Sequence, residues 1–410
     1  MKAGRRFLFL TQTYPRFEGD TSGPFIRDLA RALVAAGDRV TVLTPHAEEV
    51  AAQWQDGGVE VRSFRYAPER LELIGYSRSL DADEKMKPAA KAMAPLYVLG
   101  ARRAVAAELR RQSYDLLQAH WVVPNLFPAA AFAGKLPLAV GLHGSDVFLA
   151  EKPLVRQVLG RLLKKVGVLT GCSPELVSRV CRLGFPAERS RVIPYGVDSG
   201  LFAPDPARRQ IWRQKLGIPA EAPLILSVGR MATKKGFQVL LHELDRLMTG
   251  SPDCHLVLAG GGDRLAEFKA SAAAYAGRVH FPGPVYRDSL PDLYRAADIF
   301  VLPAVHDRQG NVDGLPNVIL EAMASRLPVV STAISGIPLA IEDGVQGRLV
   351  EEQDGPAIVG ALLELLADPA RARAMGEAGR RDAVEKLSWR AVAARYREAY
   401  ELALAGRAAG

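Results

Sequence analysis

Cysteine is scarce in this sequence of 410 residues, which contains only three. Cys172, Cys181 and Cys254 show neither a CxxC pattern nor a spacing matched to histidines, so the sequence indicates neither a disulfide framework nor a zinc site. Long apolar runs are missing too, and none approaches the length that spans a membrane. At the N-terminus only residues 7–10 form an apolar run after the cations, which is too short for a signal-peptide core. We therefore expect a cytoplasmic protein, soluble or bound peripherally at the inner face of a membrane.

The motifs of several enzyme classes are absent as well. The sequence has no GxSxG elbow, no HExxH and no cysteine–histidine nucleophile pattern, which disfavours hydrolases. Residues 260–262 lack the spacing of a dinucleotide fingerprint, and VGRMATKKG, residues 228–236, lacks the second glycine of a Walker loop. Asp81 and Asp83 form a DxD pattern, which holds a metal in some sugar transferases, but they follow no predicted strand, and we predict that they cap a helix. We expect no bound metal and no cofactor.

Charge is distributed unevenly along the chain, whose formal net charge is +8. Residues 1–195 contain 28 Lys and Arg against 19 Asp and Glu, whereas the remainder contains 25 against 26. The positive excess of the first half suggests an anionic partner, either an acidic lipid surface, a phosphorylated acceptor or nucleic acid. Nucleic acid is disfavoured, because no helix-turn-helix, zinc-finger or RNA-binding signature is present.

Apolar runs alternate with helical patterns, which predicts an α/β fold of parallel sheets and crossover helices. A first series of apolar runs ends near residue 194 and a second begins at Leu224, so we expect two doubly wound, Rossmann-like domains. Residues 196–209, rich in glycine and proline, form the best linker candidate. We predict domains at residues 1–200 and 201–385 and a final helical segment at residues 386–410.

The segment DGLPNVILEAMA, residues 313–324, contains two acids near a predicted helix start. Asp313 has a structural explanation, because the helix dipole favours an acid there, and Pro316 likewise suits a first helical turn. Glu321 has no such explanation, since a charge inside an apolar run needs a polar partner. The hydroxyl groups of a ligand would be such a partner.

Two cations follow the strand predicted at residues 224–228. Arg230 and Lys235 lie in a loop that ends at Gly236, where a helical pattern begins and runs to residue 247. A diphosphate needs this combination of guanidinium, ammonium and amide groups. An ordinary solvated loop is the alternative.

His143 follows another apolar run, at the strand end where parallel sheets expose their ligand residues. Together with Asp146 it also fits a structural histidine beside a helix-capping aspartate. Gly23 precedes the first predicted helix. It either lets a ligand approach the backbone closely or forms a plain turn.

In chain order, the segments TSGPFIRDLARALVAAGDRVTVLTP, HGSDV, VIPYGVD, VGRMATKKG and DGLPNVILEAMA resemble the retaining nucleotide-sugar glycosyltransferases of the GT-B fold, glycosyltransferase family 4. The resemblance covers about three quarters of the chain and is poorest between residues 46 and 112. It implies two Rossmann-like domains facing a cleft. The C-terminal domain would hold the donor, and the final helix would cross back to the N-terminal, acceptor-binding domain.

The resemblance also implies a role for each matched residue. Arg230 and Lys235 would neutralise the donor diphosphate and stabilise the leaving group, and Glu321 would accept hydrogen bonds from the ribose hydroxyls. Asp313 stands where the family usually has a glutamate that contacts the donor sugar, and His143 would lie at the floor of the sugar site. The other donor-binding positions comprise two glycines and a loop near the phosphates: Gly23, Gly229, Gly314, Leu315, Pro316 and Asn317.

Two departures from the family pattern affect the identity of the sugar. Asp313 is one methylene shorter than the usual glutamate, and Leu339 replaces an acid that is frequent at its position. The resemblance therefore implies a nucleoside diphosphate sugar as the donor, with UDP and GDP both open, and it does not carry over which sugar is transferred.

The implied function is retaining transfer of a hexose to a hydroxyl acceptor, in the synthesis of a cell-surface polysaccharide, a lipid-linked oligosaccharide or a glycolipid. Retention in this family is generally assigned to a front-face mechanism that needs neither a protein nucleophile nor a metal. A nucleotide-sugar epimerase and a non-catalytic donor-binding regulator are the alternatives. Basic helical stretches suggest peripheral contact with an anionic membrane, with solvated helix faces as the alternative: Arg102, Arg103, Arg110, Arg111 and residues 152–165.

Overall fold

The computed structural model describes residues 4–408, apart from residues 21, 49, 77–79, 82–84, 152 and 287. The chain divides into two compact units. Unit 1 comprises Met1–Pro194 and Trp389–Gly410, and unit 2 comprises Tyr195–Ser388. The sequence places these two boundaries at residues 200 and 385.

Unit 1 is built on a parallel sheet. Its strands are β1 Arg6–Leu10, β2 Arg39–Pro45, β3 Gln53–Asp56, β4 Val59–Phe64, β5 Leu80–Asp81, β6 Lys85–Met86, β7 Leu116–His120, β8 Leu138–Leu142, β9 Val168–Gly171 and β10 Ser190–Val192. Eight of them form one sheet in the order β10-β9-β8-β7-β1-β2-β4-β3, parallel except for β3 with β4, while β5 and β6 pair separately. The strand order reverses between β1 and β7, the point at which such sheets open a ligand crevice.

The central strands of this sheet, β1, β7 and β8, are buried along almost their whole length, as in parallel sheets that have helices on both faces. The helices before the domain boundary are α1 Pro24–Ala35, α2 Pro88–Arg111, α3 Val122–Ala129, α4 Ser145–Ala150, α5 Pro153–Leu163 and α6 Pro174–Cys181. The predicted helix cap at Asp81 is wrong, because Asp81 lies in strand β5 and α2 begins only at Pro88. Asp83 lies outside the described residues.

Unit 2 contains a second parallel sheet. Its strands are β11 Leu224–Val228, β12 His255–Ala259, β13 Val279–Gly283, β14 Ile299–Leu302, β15 Val329–Thr332 and β16 Gly347–Val350. They lie in the order β13-β12-β11-β14-β15-β16, and every neighbouring pair is parallel. Here the order reverses between β11 and β14, so the ligand crevice of this sheet is expected at their carboxyl ends.

The helices of unit 2 are α7 Gln210–Leu216, α8 Phe237–His242, α9 Leu244–Gly250, α10 Leu265–Ser271, α11 Leu290–Ala296, α12 Asn317–Ala324, α13 Gly355–Ala367 and α14 Pro369–Glu385. The single helical pattern predicted over residues 235–247 is in fact two short helices. Gly236 adopts a left-handed conformation with φ of 72°, so α8 begins after it, and Glu243 separates α8 from α9.

The last helix, α15 Trp389–Ala408, belongs to unit 1. Its apolar face enters the core of that unit: Val392, Ala393, Tyr396, Ala399, Tyr400 and Ala403. The ring of Tyr400 lies 5.0 Å from that of Phe7 on β1, and Glu401 forms an ion pair with Arg5 at 2.7 Å. Apolar positions three to four residues apart lie on one side of a helix, so this spacing buries one face and leaves the other in solvent.

Candidate active site

The predicted donor residues of unit 2 follow the two strands between which the strand order reverses. Arg230 and Lys235 come after β11, and Asp313 comes after β14, the parallel neighbour of β11. Because carboxyl ends of parallel strands share one edge, residues far apart in the sequence meet here.

Asp313 is the centre of an ion-pair cluster. Its Oδ1 lies 2.7 Å from Lys234 Nζ, and its Oδ2 lies 2.7 Å from Lys235 Nζ. Burial alone would raise the pKa of Asp313, but the two ammonium groups outweigh burial and hold that pKa well below its usual value. The carboxylate is therefore charged at neutral pH. It fixes both lysine head groups at the crevice.

Arg230 adds a third cation. Its side chain is exposed, and its guanidinium group interacts electrostatically with Asp263 and with Asp313. Lys234, Lys235 and Arg230 carry three positive charges against the two negative charges of Asp313 and Asp263. These five groups therefore leave a net positive charge of about +1, the sign that attracts a nucleoside diphosphate.

Glycine is required where the loop after β11 meets the chain after β14. A Cβ atom on Gly236 would lie 1.6 Å from the carbonyl oxygen of Pro303, and φ of Gly236 is positive, so only glycine fits. The amide of Val305 donates to the carbonyl of Lys234 at 3.0 Å and joins the two segments directly. This close packing positions the lysines beside Asp313.

Gly229, predicted as a donor-binding residue, lies beneath the Lys235 side chain. A Cβ atom there would lie 3.4 Å from Lys235 Cδ and Cε, and the Gly229 amide donates to the carbonyl of Ala259 at 2.9 Å. Gly229 thus lies next to the aliphatic part of Lys235, and its predicted contact with the donor stays a prediction.

Glu321, on α12, has a partner within the protein. The phenol of Tyr294, on α11, donates to Glu321 Oε2 at 2.8 Å and also lies 3.2 Å from the carbonyl oxygen of Val318. Tyr294 is fully buried, and burial together with the adjacent carboxylate raises its pKa well above the usual value. Part of the polar requirement that the sequence assigns to a ligand is therefore met by Tyr294.

The loop that leads into α12 is mostly buried. Gly314 accepts a hydrogen bond from the amide of Gly336 at 2.7 Å, and Leu315 is buried. Pro316 has φ of −67° and ψ of 120°, so it precedes the helix instead of lying in its first turn as predicted. Asn317 begins the helix, and its Oδ1 atom is buried without a hydrogen-bond partner.

In unit 1, His143 follows β8 and contacts a histidine that the sequence reasoning missed. His143 Nε2 lies 3.0 Å from His120 Nδ1, and the two rings stack with centroids 5.2 Å apart. Burial lowers the pKa of His120 to about 3. Burial and the neighbouring His120 likewise lower the pKa of His143 well below its usual value, so both rings are neutral at physiological pH.

Asp146 has the structural role that its pairing with His143 suggests. Its carboxylate accepts hydrogen bonds from the amides of Val122, Gly144 and His143 at 2.8, 3.0 and 3.3 Å. Burial raises the pKa of Asp146 to about 7 against the effect of these bonds. Asp146 therefore holds together the loops that follow β7 and β8.

Gly23 ends the loop after β1 and precedes α1, with φ of 68°. A Cβ atom there would lie 2.9 Å from Thr13 Cγ2, so both conformation and space favour glycine. This geometry accounts for the glycine as a turn residue, and its predicted contact with the donor stays a prediction.

Three residues of these sites escaped the sequence analysis: Lys234, Tyr294 and His120. Lys234 was visible as the first member of a lysine pair. Tyr294 and His120 gave no local signal, because each partner lies more than 20 residues away in the sequence.

Within the described residues there is no cluster of three or more His, Cys, Asp or Glu able to hold a metal ion. Over the same part of the chain, no helix is long and apolar enough to cross a membrane.

Family models match both halves of the chain. The description "Glycosyl transferase 4-like domain" applies to residues 21–196, and "Glycosyl transferases group 1" applies to residues 208–382. Among solved structures, sucrose-phosphate synthase from Thermosynechococcus elongatus has a TM-score of 0.77 at 22% identity and covers 98% of this chain and 100% of its own. The catalytic domain of starch synthase IV from Arabidopsis thaliana, bound to ADP and acarbose, has a TM-score of 0.75 at 14% identity, covering 98% and 100%. These likenesses show the fold.

Curated relatives are more similar in sequence. A GDP-mannose-dependent alpha-(1-6)-phosphatidylinositol monomannoside mannosyltransferase from Mycolicibacterium smegmatis is 35% identical over 276 residues, 67% of this chain and 72% of the relative. A D-inositol 3-phosphate glycosyltransferase from Xylanimonas cellulosilytica is 35% identical over 318 residues, 72% of this chain and 74% of the relative.

Two Rossmann-like domains with these matches define a glycosyltransferase of the GT-B fold. The chain belongs to glycosyltransferase family 4. It is a retaining enzyme that moves a hexose from a nucleoside diphosphate sugar to a hydroxyl acceptor.

Proposed function

We propose that the donor is GDP-mannose and that the acceptor hydroxyl belongs to an inositol-containing glycolipid or its soluble precursor. Two kinds of relative support this choice. One is a GDP-mannose-dependent mannosyltransferase that acts on a phosphatidylinositol monomannoside, and the other is a D-inositol 3-phosphate glycosyltransferase. Both acceptors carry an inositol ring and a phosphate. The basic composition of residues 1–195 suits such an anionic acceptor.

The observation that carries the proposal is the cluster of Lys234, Lys235, Asp313 and Arg230 at the carboxyl ends of β11 and β14. In the proposed complex, Lys235 and Arg230 bind the diphosphate, and Lys234 adds a third positive charge. Asp313 holds the lysines in place. Asp313 is also predicted to contact the donor sugar. Because both of its carboxylate oxygens already lie next to ammonium groups, Asp313 would make that contact in addition to its two ion pairs.

Glu321 is proposed to accept hydrogen bonds from the ribose hydroxyls while Tyr294 fixes its carboxylate from behind. The loop at residues 314–317 would offer backbone amides to the phosphates. The buried Oδ1 atom of Asn317, which lacks a partner in the described structure, can only accept a hydrogen bond, so it would bind a hydroxyl group of the donor. His143 would bind the sugar as a neutral hydrogen-bonding group, since burial keeps its ring uncharged.

The chemistry follows from this arrangement. The bond between C1 of mannose and the β-phosphate oxygen breaks, while a bond forms from the acceptor oxygen to C1 on the same face. The proton of the acceptor hydroxyl passes to the departing phosphate oxygen, and GDP leaves. Lys235 and Arg230 lower the barrier because they stabilise the negative charge that develops on that phosphate. No metal takes part in the proposed step.

The long helix α2 is the proposed membrane contact. Leu96 and Leu99 are 41% and 43% exposed, and Arg103 and Arg110 continue the same stripe at helical spacing. The exposed cations of this helix are Lys91, Arg102, Arg103, Arg110 and Arg111. An apolar stripe flanked by cations suits the interface of an anionic bilayer, where a lipid acceptor resides.

Product analysis tests the proposed reaction. The purified enzyme is incubated with GDP-mannose, UDP-glucose or UDP-galactose, and with octyl α-mannoside, D-inositol 3-phosphate or phosphatidylinositol vesicles as acceptors. We expect mannose transfer from GDP-mannose with an α-linkage in the NMR spectrum. Transfer from a UDP-sugar alone would overturn the donor assignment. Isomerisation of a donor incubated without acceptor would support the epimerase alternative.

A further inference from the structure

The loop between β1 and α1 presents an aromatic ring to solvent. Phe17 is 56% exposed, the most exposed of the large apolar side chains that the structure describes in unit 1. The loop follows β1, one of the two strands between which the order of the first sheet reverses. Phe17 therefore lies on the strand connection that borders the ligand crevice of this sheet.

The backbone around Phe17 is fixed by a buried carboxylate. Asp20, 6% exposed, accepts hydrogen bonds from the Arg16 amide at 2.9 Å, the Arg16 Nε at 2.7 Å and the Ser22 amide at 3.1 Å. The Asp20 amide donates in turn to the carbonyl of Phe17 at 3.2 Å. These bonds fix the backbone on both sides of Phe17, which lowers the loop entropy that is lost when a ligand stacks on the ring.

The ring is also held by its neighbours. The guanidinium carbon of Arg16 lies 5.4 Å from the ring centroid of Phe17 and 5.4 Å from that of Tyr76. Tyr76 reaches the carboxyl end of β2, where its hydroxyl lies 3.1 Å from Thr44 Oγ1. Arg16 thus packs against both aromatic rings, and more than half of the Phe17 side chain remains available to solvent.

We propose that Phe17 is the stacking platform for the six-membered polyol ring, hexose or inositol, that carries the acceptor hydroxyl. This inference rests on the proposed function, and it identifies a residue of the protein that would bind the acceptor. Such rings have an apolar face of C–H groups, which packs on an aromatic ring, and a polar rim of hydroxyls. The immediate neighbours of Phe17 in sequence are the charged Arg16 and Glu18, which suit that rim. An acyl chain would instead require an extended apolar surface.

Substitution of the ring tests the proposal. Phe17→Ala is expected to raise KM for octyl α-mannoside and for D-inositol 3-phosphate by about tenfold, with KM for the nucleotide sugar unchanged. Phe17→Trp preserves an aromatic face and should restore acceptor KM to near the native value. Val192→Ala is the matched control, because Val192 is also an exposed apolar residue of unit 1 but lies on the edge strand β10. Circular dichroism checks that each variant is folded.

A binding measurement separates this inference from the proposed reaction. Saturation-transfer NMR of D-inositol 3-phosphate in the presence of GDP needs no turnover, so it reports on the platform even if the donor is not GDP-mannose. Loss of the ring-proton signals in Phe17→Ala supports the platform. An unchanged acceptor KM or unchanged ring-proton signals in Phe17→Ala would overturn it. So would loss of binding to phosphatidylinositol vesicles without any change toward soluble acceptors, since that result would make Phe17 a lipid contact.

Discussion

The carboxylate of Asp313 and the ammonium group of Lys235 lie 2.7 Å apart, although 77 residues separate them in the sequence. Because Lys234 binds the other oxygen of the same carboxylate, one acid organises two cations at the carboxyl edge of the second sheet.

Asp313→Asn should weaken the pH dependence of stability. The folded-state pKa of Asp313 is depressed, so its stabilising contribution is full above the unfolded-state pKa of about 3.9 and is lost as the pH falls below it. We expect the variant to be less stable than the native protein at pH 7, with a smaller difference at pH 3. Calorimetric unfolding at both pH values checks this. The exposed Asp253→Asn serves as the control, and a stability difference that stays constant with pH would contradict the ion-pair account.

Tyr294→Phe should destabilise unit 2 through the loss of its bond to Glu321. A hydrogen bond to a charged group contributes about 1.5–3 kcal/mol, and its loss also leaves the carboxylate with one partner fewer. The measurement is a double-mutant cycle with Glu321→Gln, in which we expect the two substitutions to be non-additive. Tyr275→Phe is the matched control, because the Tyr275 hydroxyl binds Asp245 at 2.6 Å on the surface. Strict additivity of the Tyr294 and Glu321 substitutions would refute the coupling.

His120→Gln should flatten the loss of stability on acidification. The pKa of His120 is lowered to about 3 in the folded state, whereas an unfolded histidine titrates near pH 6.5. Between these values the unfolded chain binds more protons, so the free energy of unfolding falls as the pH is lowered through that window. Removal of this group should make the average slope between pH 7 and pH 5 shallower by about 1 kcal/mol per pH unit, approaching about 1.4 kcal/mol per pH unit at the acidic end. Urea unfolding from pH 7 to pH 5 measures the slope of the free energy of unfolding against pH. The variant His242→Gln, at an exposed histidine, is the control. Equal slopes for the native protein and His120→Gln would contradict the claim that His120 is buried and neutral.

Leu96→Ser combined with Leu99→Ser should reduce binding to anionic vesicles. The two leucines supply the exposed apolar part of α2, and their loss removes the area that would enter the bilayer interface. Co-sedimentation with vesicles that contain phosphatidylinositol is expected to fall at least about tenfold. Leu71→Ser, another exposed leucine of unit 1, is the control. Equal sedimentation of all three proteins would remove the membrane proposal.

Much of the fold was predictable because the strands of a parallel sheet with helices on both faces consist mostly of apolar residues. The runs at β1, β8, β11 and β14 stand out in the sequence, and candidate site residues follow β8 and β11 within two residues. The order of the strands within each sheet was not predictable from those runs. Yet it is the adjacency of β11 and β14 that brings Asp313 to Lys235.

The hydrogen-bond partners of the predicted site residues were harder to predict than the residues themselves. Glu321 was recognisable as a charge in an apolar helix, but its partner Tyr294 lies on a different helix. His143 was identified by its place at a strand end, whereas His120 became visible only when β7 and β8 paired. The helix expected after Lys235 is divided at Glu243 into two short helices, a break that the helical pattern did not reveal.

Isothermal titration of GDP tests the central claim most directly, because the claim is that the cations after β11 bind the donor diphosphate. The native enzyme, Lys235→Ala and the surface control Lys269→Ala are compared at one salt concentration. The account predicts that Kd for GDP rises by at least about tenfold in Lys235→Ala, the loss of one charge-assisted hydrogen bond, and stays at the native value in Lys269→Ala. A Kd in Lys235→Ala equal to that of the native enzyme would contradict it.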